Sequence, residues 1–319
     1  MDSEHSFIQT FKHDVLEGLR SSPKRLSSKY FYDERGDKLF QQIMELPEYY
    51  LTRSEFEVFQ THKASILEAL KYGDQPFDLV EFGAGDGKKT KVLLEHFVNE
   101  GVHFTYRPVD ISANILEELE EALSREIPKL EVEGLAMDYF KALDFLKENS
   151  SRPKVLLFLG SNVGNYRDEM RNELLSGISS HLSSGDKLFI GLDLKKDPKT
   201  ILAAYNDSAG VTAAFNSNIL RRIKKHLSPD LDLENFKHYP TYSPETGEAR
   251  SYLITQENTK LNIDGEVIAL EAFEPIHTEV SKKFSQSEIN QMIKTFDFSA
   301  GAQFKDSKGY YVNALWIKK

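Results

Sequence analysis

Residues 76–90 read PFDLVEFGAGDGKKT, and this stretch decides the fold. Its first half is a short apolar run of the kind that forms a buried strand. A turn rich in glycine follows, and residues 90–100 then have the apolar spacing of a helix. Glycine in such a turn lets the backbone come close to a bound ligand. The stretch therefore predicts a strand, a turn and a helix, with a ligand at the turn.

The alternation of strand and helix continues along the chain. Further strands are predicted at 104–110, 130–138, 154–161 and 186–194, and further helices at 112–127 and 168–182. Ser112 is a plausible cap for the first of these helices. Strands that alternate with helices imply a parallel sheet covered on both faces, so the predicted fold class is α/β.

The segments on either side have a different pattern. The N-terminal stretch is helical and rich in aromatic residues, and the segment after Lys195 is helical before it becomes strand-like. Antiparallel strands are expected within it at 250–256 and 267–273. From Ser285, which has capping-box spacing to Glu288, the chain returns to the first pattern. That return is a helix followed by two closing strands, near 296–304 and 309–317.

These changes of pattern predict two domains. Residues 60–195 and 282–319 are expected to form the α/β domain. Residues 1–59 and 196–281 are expected to form a second lobe over its ligand face. The division leaves each domain within the usual size range.

Composition restricts the class of protein. The chain has 319 residues, a net charge of −10 and no cysteine. Without cysteine, disulfides, thiolate metal sites and cysteine nucleophiles are excluded, and no histidine spacing indicates a metal site. The acidic balance disfavours nucleic acid, and no apolar run is long enough for a membrane span. We expect a monomeric, cytoplasmic protein, without a secretory signal, that binds a small molecule.

The glycine turn alone leaves four interpretations open. A phosphate loop would require Gly-Lys-Ser/Thr at its end, but Gly87 is followed by Lys88 and Lys89. A dinucleotide site usually spaces its glycines G-x-G-x-x-G, whereas this turn reads G-x-G-x-G. S-adenosylmethionine has no pyrophosphate to hold, and it suits the acid Glu81 just before the first glycine. The fourth interpretation is a tight turn that binds nothing.

Polar residues follow three other predicted strands. Asp110 ends the second strand, where a carboxylate can accept hydrogen bonds from ribose hydroxyls, and Asp138 with Tyr139 ends the third, where they suit an adenine ring. The fourth strand runs into FLGSNVGN (158–165), which leaves an approachable backbone at Gly160 and a carboxamide at Asn165. Ligands bind at the carboxyl ends of strands in such sheets. These positions therefore predict a nucleotide-like cofactor.

Eight segments of the chain read YFYDERGDKLF, LPEYYLTRSE, EFGAGDGKKT, PVDIS, FLGSNVGN, ILAAYND, GVTAAFN and TEVSKKFS. In this order they resemble a known family, the histidine Nα-methyltransferases of ergothioneine biosynthesis. The resemblance begins near residue 26 and runs to the C-terminus. It implies a Rossmann-like class I methyltransferase domain with an inserted α+β substrate-binding lobe, and Nα-trimethylation of L-histidine to hercynine by S-adenosylmethionine, without a metal. The alternative on the same fold is another amino acid, such as tryptophan or tyrosine.

The resemblance also implies a role for individual residues. The positions implied for the cofactor are Gly83, Lys89, Asp110, Asp138, Tyr139 and Gly160. The positions implied for the head of the amino acid are Tyr49, Asn165 and Tyr205, of which Asn165 and Tyr205 are the catalytic candidates. Those implied for the imidazole are Glu279 and Ser281, and those implied near the amine are Tyr32 and Phe40. Without the resemblance, Glu279 is expected to be a solvated strand residue paired with Lys282 or Lys283.

Overall fold

The structure is a computed structural model that describes residues 2–85 and 87–319. It divides the chain into two compact units, each built from two separate parts of the sequence. The first unit is Met1–Tyr50 with Lys196–Lys282, and the second is Leu51–Lys195 with Lys283–Lys319.

The helices and strands alternate mainly in the middle of the chain. The helices are α1 (Asp2–Arg20), α2 (Glu34–Glu45), α3 (Leu51–Leu70), α4 (Lys88–Asn99), α5 (Ala113–Glu126), α6 (Tyr139–Asn149), α7 (Asp168–His181), α8 (Pro198–Ala204), α9 (Val211–Asn216), α10 (Asn218–His226) and α11 (Gln286–Thr295). The strands are β1 (Phe77–Phe82), β2 (Phe104–Asp110), β3 (Glu131–Val132), β4 (Leu135–Ala136), β5 (Lys154–Phe158), β6 (Lys187–Asp193), β7 (Phe236–Ser243), β8 (Glu248–Thr255), β9 (Thr259–Ile263), β10 (Glu266–Leu270), β11 (Pro275–Lys282), β12 (Phe298–Lys305) and β13 (Tyr311–Lys318).

The second unit is built on one sheet with the order β12-β13-β6-β5-β1-β2-β3, and β4 also pairs with β2. Strands β6, β5, β1 and β2 are parallel neighbours, whereas β13 is antiparallel to β6 and to β12. The carboxyl ends of β1, β2 and β5 therefore lie at the same edge, where ligands bind in such sheets. The α/β class and the Rossmann-like parallel sheet predicted from the sequence are confirmed.

Strands β1 and β5 are buried on both faces of the sheet, which explains why their sequences are mainly apolar. Every residue of β1 and of β5 is buried. Neighbouring residues of β1 point to opposite faces, so Leu79 and Val80 belong to two different hydrophobic clusters. Burying a side chain of this size contributes roughly 1.5–3 kcal/mol.

Helix α3 corrects the first domain boundary. The sequence placed this boundary at residue 59, which lies in the middle of α3, whereas the structure places it after Tyr50. The physical reason is packing, because Val58 and Phe59 are fully buried in the same cluster as Leu79 of β1. The whole helix therefore belongs to the α/β unit.

The segment 130–138 also differs from the prediction. It contains two strands of two residues each, β3 and β4, and Gly134 lies between them. Asp138 does not end a strand, since β4 ends at Ala136. It caps helix α6 instead, where its carboxylate accepts a hydrogen bond from the backbone N–H of Lys141. Helix α6 itself had not been predicted.

The first unit combines helices α1, α2 and α8–α10 with two small antiparallel sheets, β11-β8-β7 and β10-β9. Its core contains Phe11, Phe31, Phe215 and Leu253. The expected strands near 250–256 and 267–273 are present, but they do not pair with each other. Instead β8 pairs with β7, a strand that the sequence analysis did not predict. Much of β7 is only half-buried, which is why its apolar signal was weak.

Candidate functional site

The glycine turn after β1 has the backbone that its composition predicts. Gly83, Gly85 and Gly87 all have positive φ angles, of 66°, 57° and 64°, which only glycine adopts without strain. The N–H of Gly83 donates to the carbonyl of Val109 on β2 (3.1 Å) and fixes the start of the turn. Asp86 lies outside the described residues. A pocket that opens to solvent adjoins the turn, and Gly83, Lys89, Gly160 and Asn162 are among the residues that line it.

Glu81 is buried just before the turn, and both of its carboxylate oxygens accept hydrogen bonds. The donors are the hydroxyls of Thr90 (2.8 Å) and Tyr106 (2.6 Å). Burial raises the pKa of Glu81 to about 7, although these two hydrogen bonds act in the opposite direction. Glu81 therefore connects Thr90 of helix α4 with Tyr106 of strand β2.

Lys89, a predicted cofactor residue, forms an ion pair with the buried carboxylate of Glu55. The same carboxylate accepts hydrogen bonds from the backbone N–H of Gly160 (3.0 Å), the hydroxyl of Tyr311 (2.9 Å) and the amide of Asn313 (3.0 Å). Burial acts to raise the pKa of Glu55, but the charge and hydrogen bond of Lys89 and the other donors outweigh it, and the pKa is lowered. Glu55 is therefore an ionised group in the core.

Sequence analysis missed Glu55. The signal was present, because Glu55 lies on the same helical face as Leu51, Val58 and Phe59 of α3, which are all buried. An acid on an apolar stripe must have partners in the core. Helix α3 brings Glu55 to Lys89 and Gly160, two predicted cofactor positions that are 71 residues apart in the sequence.

Tyr139 lies against the glycine turn. Its ring stacks on Phe82 with a centroid distance of 4.2 Å, and a Cβ atom added to Gly83 would lie 3.1 Å from its hydroxyl. Burial raises the pKa of Tyr139 to about 12, and negative charge at Tyr166 and Asp110 contributes. The structure therefore brings Gly83, Tyr139 and Asp110 together at the carboxyl edge of the sheet.

The two predicted acids have local partners. One oxygen of Asp110 accepts from the N–H of Ser112 (2.9 Å), which orients the carboxylate at the end of β2. Asp138 caps α6 and forms an ion pair with Lys141 (3.2 Å). The hydrogen bond from the backbone of Lys141 is the largest cause of a lowered pKa at Asp138.

The segment after β5 carries Gly160 and Asn165. Gly160 and Ser161 both have positive φ angles (72° and 56°), and the hydroxyl of Ser161 accepts from the N–H of Asp193 (3.0 Å), which holds this unusual backbone. Residues Asn162–Asn165 then form a short 3-10 helix. Asn165 is exposed to solvent, whereas Asn162 lines the cavity next to Gly160.

The first unit contains a second polar group, centred on Glu279 of β11. Its Oε2 atom accepts from the amide of Asn216 (3.3 Å) and from the hydroxyl of Ser251 (3.3 Å). Of the two lysines expected near it, Lys282 donates to the carbonyl of Thr246 and Lys283 pairs with Asp193. Glu279 is half-buried in a polar network, and sequence analysis missed Asn216 and Ser251.

Aromatic side chains of the first unit form a group that includes two predicted residues. The ring centroid of Tyr32 lies 5.8 Å from that of Phe40 and 5.4 Å from that of Phe215, and Phe31 also contacts Phe215 (5.0 Å). Burial raises the pKa of the Tyr32 hydroxyl, although 45% of the residue is exposed. The negative charge of Glu279 raises this pKa further. Tyr32, Phe40 and Glu279 therefore lie in one region.

The remaining predicted residues of this unit lie on separate elements. Tyr205 is buried at the end of α8, and Ser281 is buried on β11. Tyr49 is half-buried and packs on the core of the first unit. Its neighbour Tyr50 accepts a hydrogen bond from Lys196 (2.8 Å), whose amine also lies 4.2 Å from the ring centroid.

Two kinds of feature are missing from the described part of the chain. Among residues 2–85 and 87–319, no cluster of three or more histidine and acidic side chains could hold a metal ion. No helix in the same residues combines the length and the apolar character that crossing a membrane requires.

Comparison with known proteins identifies relatives over nearly the whole chain. The sequence profile of a family described as "Histidine-specific methyltransferase, SAM-dependent" matches residues 11–318. A histidine N-alpha-methyltransferase from Mycolicibacterium smegmatis is 35% identical over 288 residues, which cover 89% of this chain and 87% of that protein. The Mycobacterium tuberculosis protein of the same name is 33% identical over 275 residues, which cover 86% and 84%.

A third relative is longer. Ergothioneine biosynthesis protein 1 from Neurospora crassa is 30% identical over 305 residues, which cover 93% of this chain and 33% of that protein. The profile match and these identities agree with the glycine turn and parallel sheet described above. The chain belongs to the family of histidine-specific, S-adenosylmethionine-dependent methyltransferases.

Proposed function

We propose that this protein transfers three methyl groups from S-adenosylmethionine to the α-nitrogen of L-histidine and so forms hercynine, in the first step of ergothioneine biosynthesis. The observation that carries the choice of histidine is the network around Glu279. A carboxylate held between two donors on a strand suits an N–H of an imidazole ring. Family membership supports the reaction type.

The second unit is the proposed cofactor-binding domain. Its residues fit S-adenosylmethionine, because a cavity adjoins three glycines whose backbone a ligand can approach closely. When bound, S-adenosylmethionine supplies an electrophilic methyl group. The residues proposed to hold it are Gly83, Lys89, Asp110, Asp138, Tyr139 and Gly160.

The first unit is the proposed amino-acid-binding domain. Glu279 accepts from one ring nitrogen, and Ser281 donates to or accepts from the other. Tyr49 and Tyr205 are proposed to bind the carboxylate and amine of the substrate, and the same role is proposed for Asn165. Fixing both ends of the substrate is the main contribution that the protein can make to a direct displacement.

Proton transfer sets the order of events. The α-ammonium must lose one proton before each transfer, because only a neutral amine has a lone pair. Each transfer would form a nitrogen–carbon bond on the substrate and break a sulfur–carbon bond, and S-adenosylhomocysteine, a sulfide, would be the leaving group. Asn165 and Tyr205 are proposed to orient the amine. Tyr32 and Phe40 offer ring faces that stabilise the cationic trimethylated product.

Mass spectrometry of the product tests the proposal directly. The protein is incubated with L-histidine and S-adenosylmethionine, and we expect a mass increase of three methyl groups on histidine. Parallel reactions with tryptophan and tyrosine test the alternative on the same fold. Methylation of tryptophan without methylation of histidine would overturn the assignment, and the absence of any methylated product would overturn the activity.

Substitution of Glu279 tests the proposed imidazole contact. Glu279→Ala removes an acceptor for the ring N–H, and hydrogen bonds to charged groups contribute roughly 1.5–3 kcal/mol, so we expect histidine binding to weaken at least about tenfold. Binding of S-adenosylhomocysteine, measured by calorimetry on the same samples, is expected to stay within about twofold. Equal losses for both ligands would contradict the role given to Glu279.

A further inference from the structure

Asn216 is buried beside the proposed imidazole contact and has no assigned role. It is the last residue of α9, and its side chain is fully buried. Its amide nitrogen lies 3.3 Å from the carbonyl of Thr212 and 3.3 Å from Oε2 of Glu279. Its amide oxygen lies 2.9 Å from the hydroxyl of Thr278.

These contacts fix the orientation of the amide group. Both neighbours of the nitrogen, a carbonyl and a carboxylate, are acceptors, so a flipped amide would set oxygen against oxygen in a buried place. The hydroxyl of Thr278 can donate to the amide oxygen, and the carbonyl of Ser251 lies within its reach as well (3.1 Å). Asn216 therefore presents an N–H to Glu279.

A bulge in β11 makes this arrangement possible. Successive residues of a regular strand point to opposite faces, so Thr278 and Glu279 could not both reach one side chain. The pairing of β11 with β8 shifts between His277 and Glu279, opposite Tyr252 and Ser251. The extra residue, Thr278, allows two adjacent side chains to contact Asn216.

Ser251 completes the arrangement from the neighbouring strand. It is buried, and its hydroxyl donates to Oε2 of Glu279, the oxygen that Asn216 also contacts. Two donors at one oxygen limit rotation of the carboxylate. A group held in this way keeps its orientation for a ligand and loses less conformational freedom on binding.

We propose that Asn216 is a positioning residue for substrate selection, which together with Ser251 holds the Glu279 carboxylate as an acceptor for a ring N–H of the amino acid. The inference rests on the proposed function. It adds that selection of the side chain depends on a network of three elements, α9, β8 and β11. Asn216 acts through Glu279 and does not contact the substrate.

A double-mutant cycle tests this role in the full-length protein. The value of kcat/KM for histidine is measured for the native chain, Asn216→Leu, Glu279→Ala and the double variant. In the native background we expect Asn216→Leu to lower kcat/KM about tenfold, the range for a hydrogen bond to a charged group. In the Glu279→Ala background we expect the same change to have less than about a twofold effect.

The outcomes separate the two proposals. If the native chain does not methylate histidine, the proposed function fails, and this inference fails with it. If the native chain methylates histidine but Asn216→Leu has the same effect in both backgrounds, the positioning role alone is overturned. Dependence of the effect on Glu279 supports the role, because general damage to the fold would not depend on that residue.

A second variant covers the case in which Asn216→Leu does not fold. Ser251→Ala removes the other donor to Glu279, and its effect on kcat/KM should likewise disappear in the Glu279→Ala background. Thr255→Val is the matched control, since Thr255 is a buried hydroxyl on the same strand that donates to the carbonyl of Glu271 (2.5 Å). We expect this control to leave kcat/KM unchanged. An effect of Ser251→Ala that persists without Glu279 would overturn the inference.

Discussion

Replacing Glu55 by glutamine should destabilise the second unit strongly. The substitution keeps the volume of the side chain and removes its charge. Lys89 then loses its ion-pair partner, and Gly160, Tyr311 and Asn313 donate to a weaker acceptor. The change is confined to a side chain that has no exposed surface.

The size of the effect follows from the burial of the two charges. Removing one partner of a buried ion pair costs about 3–5 kcal/mol. The side chain of Lys89 is 28% exposed, so water stabilises part of its charge, and the lower end of that range, about 3 kcal/mol, is expected. For a domain of the size of the second unit, 1 kcal/mol corresponds to about 2–4 °C, so the melting temperature should fall by about 6–12 °C.

The melting temperatures of the native chain, Glu55→Gln and Glu68→Gln measure this effect. Glu68→Gln is the matched control, because Glu68 lies on the same helix and pairs with Lys71 (2.7 Å), but its side chain is 66% exposed. Such surface pairs contribute less than about 1 kcal/mol. Affinity for S-adenosylhomocysteine should also fall in Glu55→Gln and not in the control, because Glu55 holds two of the proposed cofactor residues.

The reasoning is wrong if Glu55→Gln melts within about 2 °C of Glu68→Gln. That result would mean that the buried carboxylate contributes no more than a surface pair does. If Glu55→Gln melts at the lower temperature but binds S-adenosylhomocysteine normally, the structural role of Glu55 is supported and its link to cofactor binding is contradicted.

Two further predictions concern the same core. Gly191→Ala should also lower the melting temperature, because its Cβ atom would lie 2.2 Å from the hydroxyl of Tyr311 and 2.5 Å from Oε1 of Glu55; unchanged melting would show that both side chains can move. Burial raises the pKa of Glu81 from 4.5 to about 7, so the folded state favours the protonated carboxyl group. Its contribution to the free energy of unfolding is therefore complete below about pH 4.5 and is lost as the pH rises through 7. Denaturation of the native chain and of Glu81→Gln between pH 5 and 8 should show the variant gaining relative stability with pH, and parallel curves would contradict this.

Local patterns predicted the elements whose signal lies in consecutive residues. Strand β1 is buried throughout and mainly apolar, as expected. Ser112 caps α5 as expected, because its hydroxyl accepts a hydrogen bond from the N–H of Ile115. The capping box at Ser285 is also confirmed. Helix α6 was missed because Asp138 was interpreted as the end of a strand, although aspartate is equally typical of a helix cap.

The polar networks could not be predicted, since they join residues that are distant in the sequence. The apolar face of α3 indicates that Glu55 is buried, but it does not indicate the partners of Glu55, and Asn216 looks like an ordinary helix position. Only the fold brings Glu55 to Gly160 and Asn216 to Glu279. Periodicity even favoured a solvated position for Glu279. The resemblance to a family pointed to Glu279, but it gave no information about the groups that hold it.

The bulge at Thr278 makes the length of β11 as important as its composition. Deleting a single residue there would restore a regular ladder with β8 and turn each side chain on one side of the deletion to the opposite face. A relative could therefore lose the proposed contact with the imidazole while keeping every individual residue type. Gaps in this strand, and not only substitutions, are the changes by which members of this family could come to accept a different amino acid.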